Sequence, residues 1–392
     1  MNVILVSGDF PPIISGVGDY TFHVAKSMAS LPVNVEVITS DLGTDNVFDL
    51  SDDIQCHRCM KFWGGREAKK IIERIPADRK DCVINIQYNS PMFYKRNLMI
   101  NFLPLFLRFF RPSARVIVTM HGFWEQSWLY RLRTIPMLRL SHGVIYVDKK
   151  NRFQLERLSG KSGKQLKFIP IASNIVPIKS TPEKRQQWRR EINLSDSDMV
   201  ISFFGGIGQN KGTMSLLKAI KLIRDDNAFS VVLIFIGGFN SDGINLEYQD
   251  YIQAKIDEFG LRENVRIIHT PSAEKVSSLL YASDIAAYPF TNGVGENSGS
   301  MLAALAHGLP TVVTSGGTED DNKFSHEFGV YMVEPDNERQ LADAFINIYS
   351  SDEIQLSMNK DNLAINKKNN WNSIATQTMG FFEHIITNDE SS

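Results

Sequence analysis

IAAYPFTNGVGENSGSMLAALAHGLPTVVT, residues 285–314, reads as one complete strand, loop, helix and second strand. Ile285–Tyr288 is a short apolar run closed by Pro289 and Phe290, and Thr311–Thr314 is a second run of β-branched residues. Between them, Met301 to His307 is rich in alanine and leucine. Gly308 follows at the position where helices turn left-handed, and Pro310 blocks any continuation. A helix joining two buried strands is the connection that parallel sheets require. The helix start is itself informative. Amides at Gly299, Ser300 and Met301, beside Ser298, have no partner within a helix and would point at an anion such as a diphosphate. Glu296, in the preceding loop, can accept hydrogen bonds from sugar or ribose hydroxyls.

The same alternation runs through the whole chain. Candidate strands in the first half are Val3–Val6, Val33–Thr39, Val83–Ile86, Val116–Thr119 and Val144–Val147. In the second half they are Val200–Phe204, Val231–Ile236, Val265–His269, Ile285–Tyr288 and Thr311–Thr314. Nearly every residue in these runs is apolar, as expected of strands covered on both faces. The expected fold is therefore α/β, with two Rossmann-like, doubly wound parallel sheets. The stretch 176–199 is charged and contains Pro177 and Pro182, so the boundary is placed there. This gives domains 1–178 and 179–370, with 371–392 a closing helix expected to return to the first domain. Ligands of such sheets bind at the carboxyl ends of the strands, and two facing crevices would form one cleft.

Two further glycine loops sit at strand ends. The first runs from Ser7-Gly8-Asp9 through Pro11-Pro12 to Ser15-Gly16-Val17-Gly18-Asp19, opening a helix. The second is Gly205-Gly206-Ile207-Gly208-Gln209-Asn210-Lys211-Gly212-Thr213. It meets neither the P-loop spacing nor the dinucleotide spacing. What it offers is a lysine on a glycine turn, able to neutralise a leaving diphosphate. Each loop also has a plain reading, as a tight turn or a solvated surface lysine.

Taken together, GDFPP…SGVGDY, GGIGQNKG and GENSGSMLAALAHGLPTVVT resemble glycosyltransferase family 4 (group 1), a retaining family of the two-domain GT-B fold. The resemblance extends to Thr119-Met120-His121-Gly122, to Ile169-Pro170-Ile171-Ala172-Ser173-Asn174 and to the aromatic-bearing helix around Trp371–Ile386. It implies metal-independent transfer of a sugar from a nucleotide-diphosphate donor to a glycan or lipid-linked acceptor, with no cofactor. By resemblance, His121 would touch the transferred sugar, Lys211 the diphosphate, and Gly16, Val17, Gly18, Gly206, Ser298, Gly299, Ser300 and Met301 the donor. His121, Lys211 and Glu296 are the expected catalytic set. Two departures stand out. The family commonly has an arginine where this chain has Gly206, and two glutamates eight apart where it has Gly295 and Ala303. A nucleotide-sugar epimerase, or a sugar-nucleotide-binding protein without transferase activity, therefore stays open. A paired-carboxylate hydrolase does not fit, since no spaced pair is visible.

Length, composition and charge agree with this frame. At 392 residues, 43% hydrophobic and 22% charged, the chain suits two globular domains. MNVILVSGDF lacks a basic start and a long apolar stretch, so it reads as a strand and not as a signal peptide. The apolar segment Leu98 to Phe110 is too short to span a bilayer. Cys56-His57-Arg58-Cys59 has no second ligand pair, so structural thiols, no metal and cytoplasmic residence are expected. Asp196-Ser197-Asp198 precedes a strand and reads as a solvated turn. The net charge of −2 conceals 24 Lys/Arg against 15 Asp/Glu in residues 1–175, with the balance reversed beyond. Within 82–147, Lys95, Arg96, Arg108, Arg111, Arg115, Arg131, Arg133 and Arg139 face only Glu125. No recognisable nucleic-acid-reading element accompanies them. An anionic acceptor or membrane surface fits better, with Arg108 and Arg111 beside Phe102, Leu103, Leu105, Phe106, Leu107, Phe109 and Phe110 as its contact at the inner face.

Overall fold

The computed structural model describes residues 1–13, 15–41, 54–75, 81–93, 97–123, 127–226, 229–239, 244–316 and 321–389. The chain divides into two compact units, Met1–Ala172 with Asn369–Ser392, and Ser173–Lys368. Residues 173–178 thus lie with the second unit, although Pro177 had drawn the boundary beyond them.

The first unit holds a seven-stranded sheet in which every pairing is parallel. Its strands are β1 (Asn2–Ser7), β2 (Asn34–Ser40), β3 (Ile54–Met60), β4 (Cys82–Tyr88), β5 (Arg115–Met120), β6 (Gly143–Tyr146) and β7 (Leu166–Phe168), in spatial order β3-β2-β1-β4-β5-β6-β7. The period of two sorts the side chains cleanly. Ile4, Ile84, Ile86, Val116 and Val118 face Leu103, Leu107 and Met137. Val3, Leu5, Val83 and Ile117 face Val24 and Met28 of the Gly16–Ala29 helix, together with Ile374 and Phe382 of the Trp371–Asp389 helix. That closing helix is therefore part of the first unit's core.

The second unit carries β8 (Met199–Phe204), β9 (Val231–Gly237), β10 (Val265–His269), β11 (Ile285–Tyr288), β12 (Thr311–Thr314) and β13 (Tyr331–Val333). Their order is β10-β9-β8-β11-β12-β13, again with every pairing parallel. All ten strands expected from the sequence are present. Among the described residues there are three more, β3, β7 and β13, and each lies at a sheet edge. An edge strand has one neighbour and little cover, so it lacks the apolar run that marks a central strand. β3 reads IQCHRCM, and its Cys56 and Cys59 are free thiols, both partly exposed.

Each sheet has one place where the strand order reverses, between β1 and β4 in the first and between β8 and β11 in the second. The loops leaving those strands are where such sheets hold ligands.

Candidate functional site

In the first unit, Ser15 caps the Gly16–Ala29 helix, its side chain accepting from the Gly18 amide at 3.4 Å. The Asp19 amide donates to the Ser15 carbonyl at 2.8 Å. Of the three expected donors, only Gly16 and Val17 keep an amide without an acceptor among the described residues. Gly18 has a different task. A Cβ there would meet the Asp9 carbonyl carbon and the Phe10 nitrogen at 3.3 Å, so glycine lets the loop lie on the helix. At Gly16 a Cβ would meet nothing within 4 Å.

His121 leaves the end of β5, with its amide donating to the Tyr88 carbonyl at 3.0 Å. Its Nε2 lies 2.8 Å from Gln87 Oε1. Gln87 Nε2 donates to Asn85 Oδ1. Asn85 Nδ2 in turn donates to Thr119 Oγ1 at 3.0 Å and to the Ile117 carbonyl at 3.3 Å. Asn85, Gln87 and Thr119 are fully buried. Tyr20 meets the imidazole edge-on at 4.5 Å and rests on Trp371 at 5.3 Å, which stacks on His23. Burial pushes the His121 pKa down to about 3, so the ring is neutral near pH 7. Neither Asn85 nor Gln87 was singled out in the sequence. Their signal was two amides, two residues apart, inside a strand otherwise apolar on both faces.

In the second unit, the Gly205 amide donates to Ile236 and the Ile207 amide to Gly238, both at 2.9 Å, binding the glycine turn to the end of β9. Gly205 has φ 134 and Gly206 follows it in the turn. Gly212 has φ 67, and a Cβ there would fall 1.8 Å from the Pro289 oxygen. The Thr291 amide donates to Asn210 at 3.2 Å, so the turn and the loop after β11 are stitched together. Lys211 lies between them, its Nζ 4.0 Å from the Phe290 ring centroid. Burial holds its ammonium below the usual lysine value, and it forms no ion pair among the described residues.

The Gly299–Ala306 helix begins against the same turn, with Ser300 Oγ 3.9 Å from where a Gly205 Cβ would stand. Ser298 is its N-cap and accepts from the Met301 amide at 3.4 Å. Met301 is therefore not a free donor, and its side chain is buried. The Gly299 and Ser300 amides keep no acceptor among the described residues. Tyr288 donates its hydroxyl to the Ser300 carbonyl at 2.7 Å, tying the helix start to β11. Glu296 is half-buried in the loop. Ala303, where the family's second glutamate would stand, is fully buried, and its carbonyl accepts from His307 Nδ1 at 2.7 Å. His307 Nε2 lies 2.6 Å from Ser277 Oγ, which accepts from the Ile178 amide at 3.1 Å.

One reading needs correction. Asp198 is buried, not solvated, and takes the Ser195 amide and the Ser230 hydroxyl to hold the turn into β8. Arg111 is committed to the fold, its guanidinium donating to Ile75 at 2.7 Å and Phe110 at 2.8 Å. Arg108 is exposed and unpaired among the described residues. Of the apolar residues beside it, Leu103 and Leu107 are core and Phe106 packs against them. Phe102, Leu105, Phe109 and Phe110 are exposed, Phe109 to 81%, and Trp128, Leu129 and Leu132 on the adjoining Trp128–Leu140 helix are exposed as well. Lys95, Arg96 and Glu125 lie outside the described residues. Among the described residues no three His, Cys, Asp or Glu side chains are placed to hold a metal, and no helix is long and apolar enough to cross a membrane.

Two parallel α/β units, each with ligand loops at its switch point, define a protein of the GT-B class. Residues 184–364 match the family of glycosyl transferases group 1. A D-inositol 3-phosphate glycosyltransferase of Corynebacterium glutamicum (strain R) is 25% identical over 210 residues, 51% of this chain and 47% of that protein. The chain spans about half the length of the curated relatives it matches. Among solved structures, a glycosyltransferase from Rickettsia africae ESF-5 gives a TM-score of 0.78 at 16% identity over 99% of both chains. Anabaena HepE in complex with UDP gives 0.73 at 14% identity, over 98% of this chain and 100% of that one, and it is also known with UDP-glucose. At these identities the likeness establishes the GT-B fold.

Proposed function

We propose that this protein is a retaining glycosyltransferase that moves a sugar from a nucleoside-diphosphate donor to a glycan or lipid-linked acceptor, without a metal ion. The observation that carries the reading is one glycine turn that holds Lys211, a half-buried cation with no ion pair among the described residues, and meets the start of the Gly299–Ala306 helix, whose Gly299 and Ser300 amides keep no acceptor among the described residues. A diphosphate satisfies every one of these groups at once. UDP-glucose, bound by Anabaena HepE, is a donor of this chemistry, and UDP, also bound by HepE, is the diphosphate such a donor releases. In the reaction the bond from the anomeric carbon to the diphosphate oxygen breaks while the acceptor oxygen attacks from the same face. The departing phosphate oxygen takes the acceptor's proton. Lys211 and the two amides stabilise the charge on the leaving group, Glu296 holds a donor hydroxyl, and His121 contacts the sugar. The exposed face of Phe102, Leu105, Phe109 and Arg108 supports seating on an anionic lipid surface, where lipid-linked acceptors reside. Cytoplasmic residence at the inner face of the membrane belongs to this reading.

The test is incubation of the protein with UDP- and GDP-sugars and phosphorylated or lipid-linked acceptors, with products read by mass spectrometry and proton NMR. A glycoside that keeps the donor's anomeric configuration, formed in excess chelator, is the expected product. An inverted product defeats the retaining mechanism, an epimerised donor establishes an epimerase, and donor binding with no product from the full panel leaves a binding protein.

A further inference from the structure

The amides beneath His121 have a definite direction, and it begins at a backbone atom. The Ile117 carbonyl can only accept, so the Asn85 atom facing it at 3.3 Å is the nitrogen, Nδ2. Oδ1 of Asn85 then faces Gln87, which must present its own nitrogen. This leaves Gln87 Oε1, a pure acceptor, directed at His121 Nε2 at 2.8 Å. The imidazole must therefore carry its proton on Nε2. Its Nδ1 makes no hydrogen bond among the described residues, and the residue as a whole is half-buried rather than sealed. No carboxylate touches the ring among the described residues, and its neighbour from the Gly16–Ala29 helix is the Tyr20 ring.

We propose that Gln87, oriented by Asn85, is a positioning residue that fixes His121 as the Nε2–H tautomer, so that His121 meets a sugar hydroxyl with the Nδ1 lone pair as an acceptor and never as an acid. This rests on the reading that His121 contacts the transferred sugar. The choice of glutamine over glutamate is what the chemistry requires. A carboxylate at position 87 would accept the same Nε2 proton while drawing a second proton onto Nδ1, abolishing the acceptor. Glutamine holds the ring just as firmly and adds no charge. A ligand of this site is then one that offers a hydroxyl donor to Nδ1, and a deoxy sugar lacking that hydroxyl leaves the lone pair unmet.

Long-range proton–nitrogen NMR of the ¹⁵N-histidine-labelled full chain tests the tautomer directly, with His121 assigned by its loss in His121→Gln. The expected spectrum has Nε2 protonated and Nδ1 bare from pH 5 to 8. A protonated Nδ1 overturns the proposal, and this measurement needs neither turnover nor a variant at Gln87. With a donor in hand, Gln87→Glu is expected to lose about tenfold or more relative to the parent at pH 6. It should recover to within about twofold at pH 9, as the second proton leaves. A ratio that does not change with pH means that Gln87 only supports the strand, and it overturns the positioning role. Absence of transfer in the parent chain would count against the transferase reading, while the spectrum still decides the tautomer.

Discussion

Lys211 shows what one residue owes to its surroundings. Its Nζ rests on the Phe290 ring at 4.0 Å with no carboxylate to neutralise it among the described residues, so removing the charge should do little to the fold and much to a leaving diphosphate. Lys211→Ala is expected to lower turnover by on the order of a hundredfold, with an unfolding midpoint close to the parent's. Near-normal turnover in a folded variant would remove Lys211 from the mechanism. His307 makes a prediction about pH. Burial, opposed by its bond to the Ala303 carbonyl, lowers its pKa to about 4, below the ordinary 6.5 of the unfolded chain. Between those values the unfolded state binds the proton more readily. The stability His307 contributes is present above pH 6.5 and is lost as pH falls towards 4, by about 3 kcal/mol at most. His121 acts in the same direction in the first unit. Urea midpoints at pH 7.5 and 4.5 should converge in His307→Gln relative to the parent, and an unchanged gap would show that His307 is not the titrating group.

Among the elements, the glycines separate by what surrounds them. Gly16 opens a helix with free space where its Cβ would stand. Gly212 is left-handed and pressed against the Pro289 oxygen. Gly16→Ala should leave stability within about 1 kcal/mol of the parent, because alanine is a good helix former and costs less chain entropy. Gly212→Ala should destabilise by several kcal/mol, through strain at positive φ and a collision with backbone. Thermal unfolding of the two variants measures both, and a tolerated Gly212→Ala would contradict the close approach of the turn to Pro289. The sequence made both glycines look alike, since each sits in a loop before a helix. Helix caps were similarly hidden. That Ser15 and Ser298 use up the Gly18 and Met301 amides depends on side-chain rotamers, which loop motifs do not encode.

Over the whole molecule, the second unit is held at its start by Arg189. This fully buried guanidinium donates to Asp284 at 2.7 Å, to the Ala282 carbonyl at 2.9 Å and to Ser195 and Asp196 carbonyls at 3.1 Å. Arg189→Met strands these acceptors and should cost about 3–5 kcal/mol in denaturant unfolding. A loss under about 1 kcal/mol would mean that Arg185, 2.5 Å from Asp284, already suffices. At the first unit's surface, sedimentation with anionic vesicles should fall in Arg108→Glu and in Phe109→Ser, and weaken as salt rises. Arg111→Glu should instead lower stability, because that guanidinium holds the Ile75 carbonyl. Binding indifferent to lipid charge would assign the basic surface to something other than a membrane.

Sequence alone was enough for the α/β class, the two sheets and ten of the thirteen strands, because a strand covered on both faces must be apolar along its whole length. It was enough, too, to place the glycine loops at strand ends, where parallel sheets bind their ligands. Only the tertiary structure decided which donors were spent and which stayed open. Edge strands β3, β7 and β13, the Arg111 anchor, the buried Ala303 and the Asn85–Gln87–His121 line all depend on neighbours far away in the chain. A hydrogen bond between β4 and β5 joins residues more than thirty positions apart. Local composition carries no record of such a pairing, because a polar side chain's partner is chosen by the packing that brings the strands together.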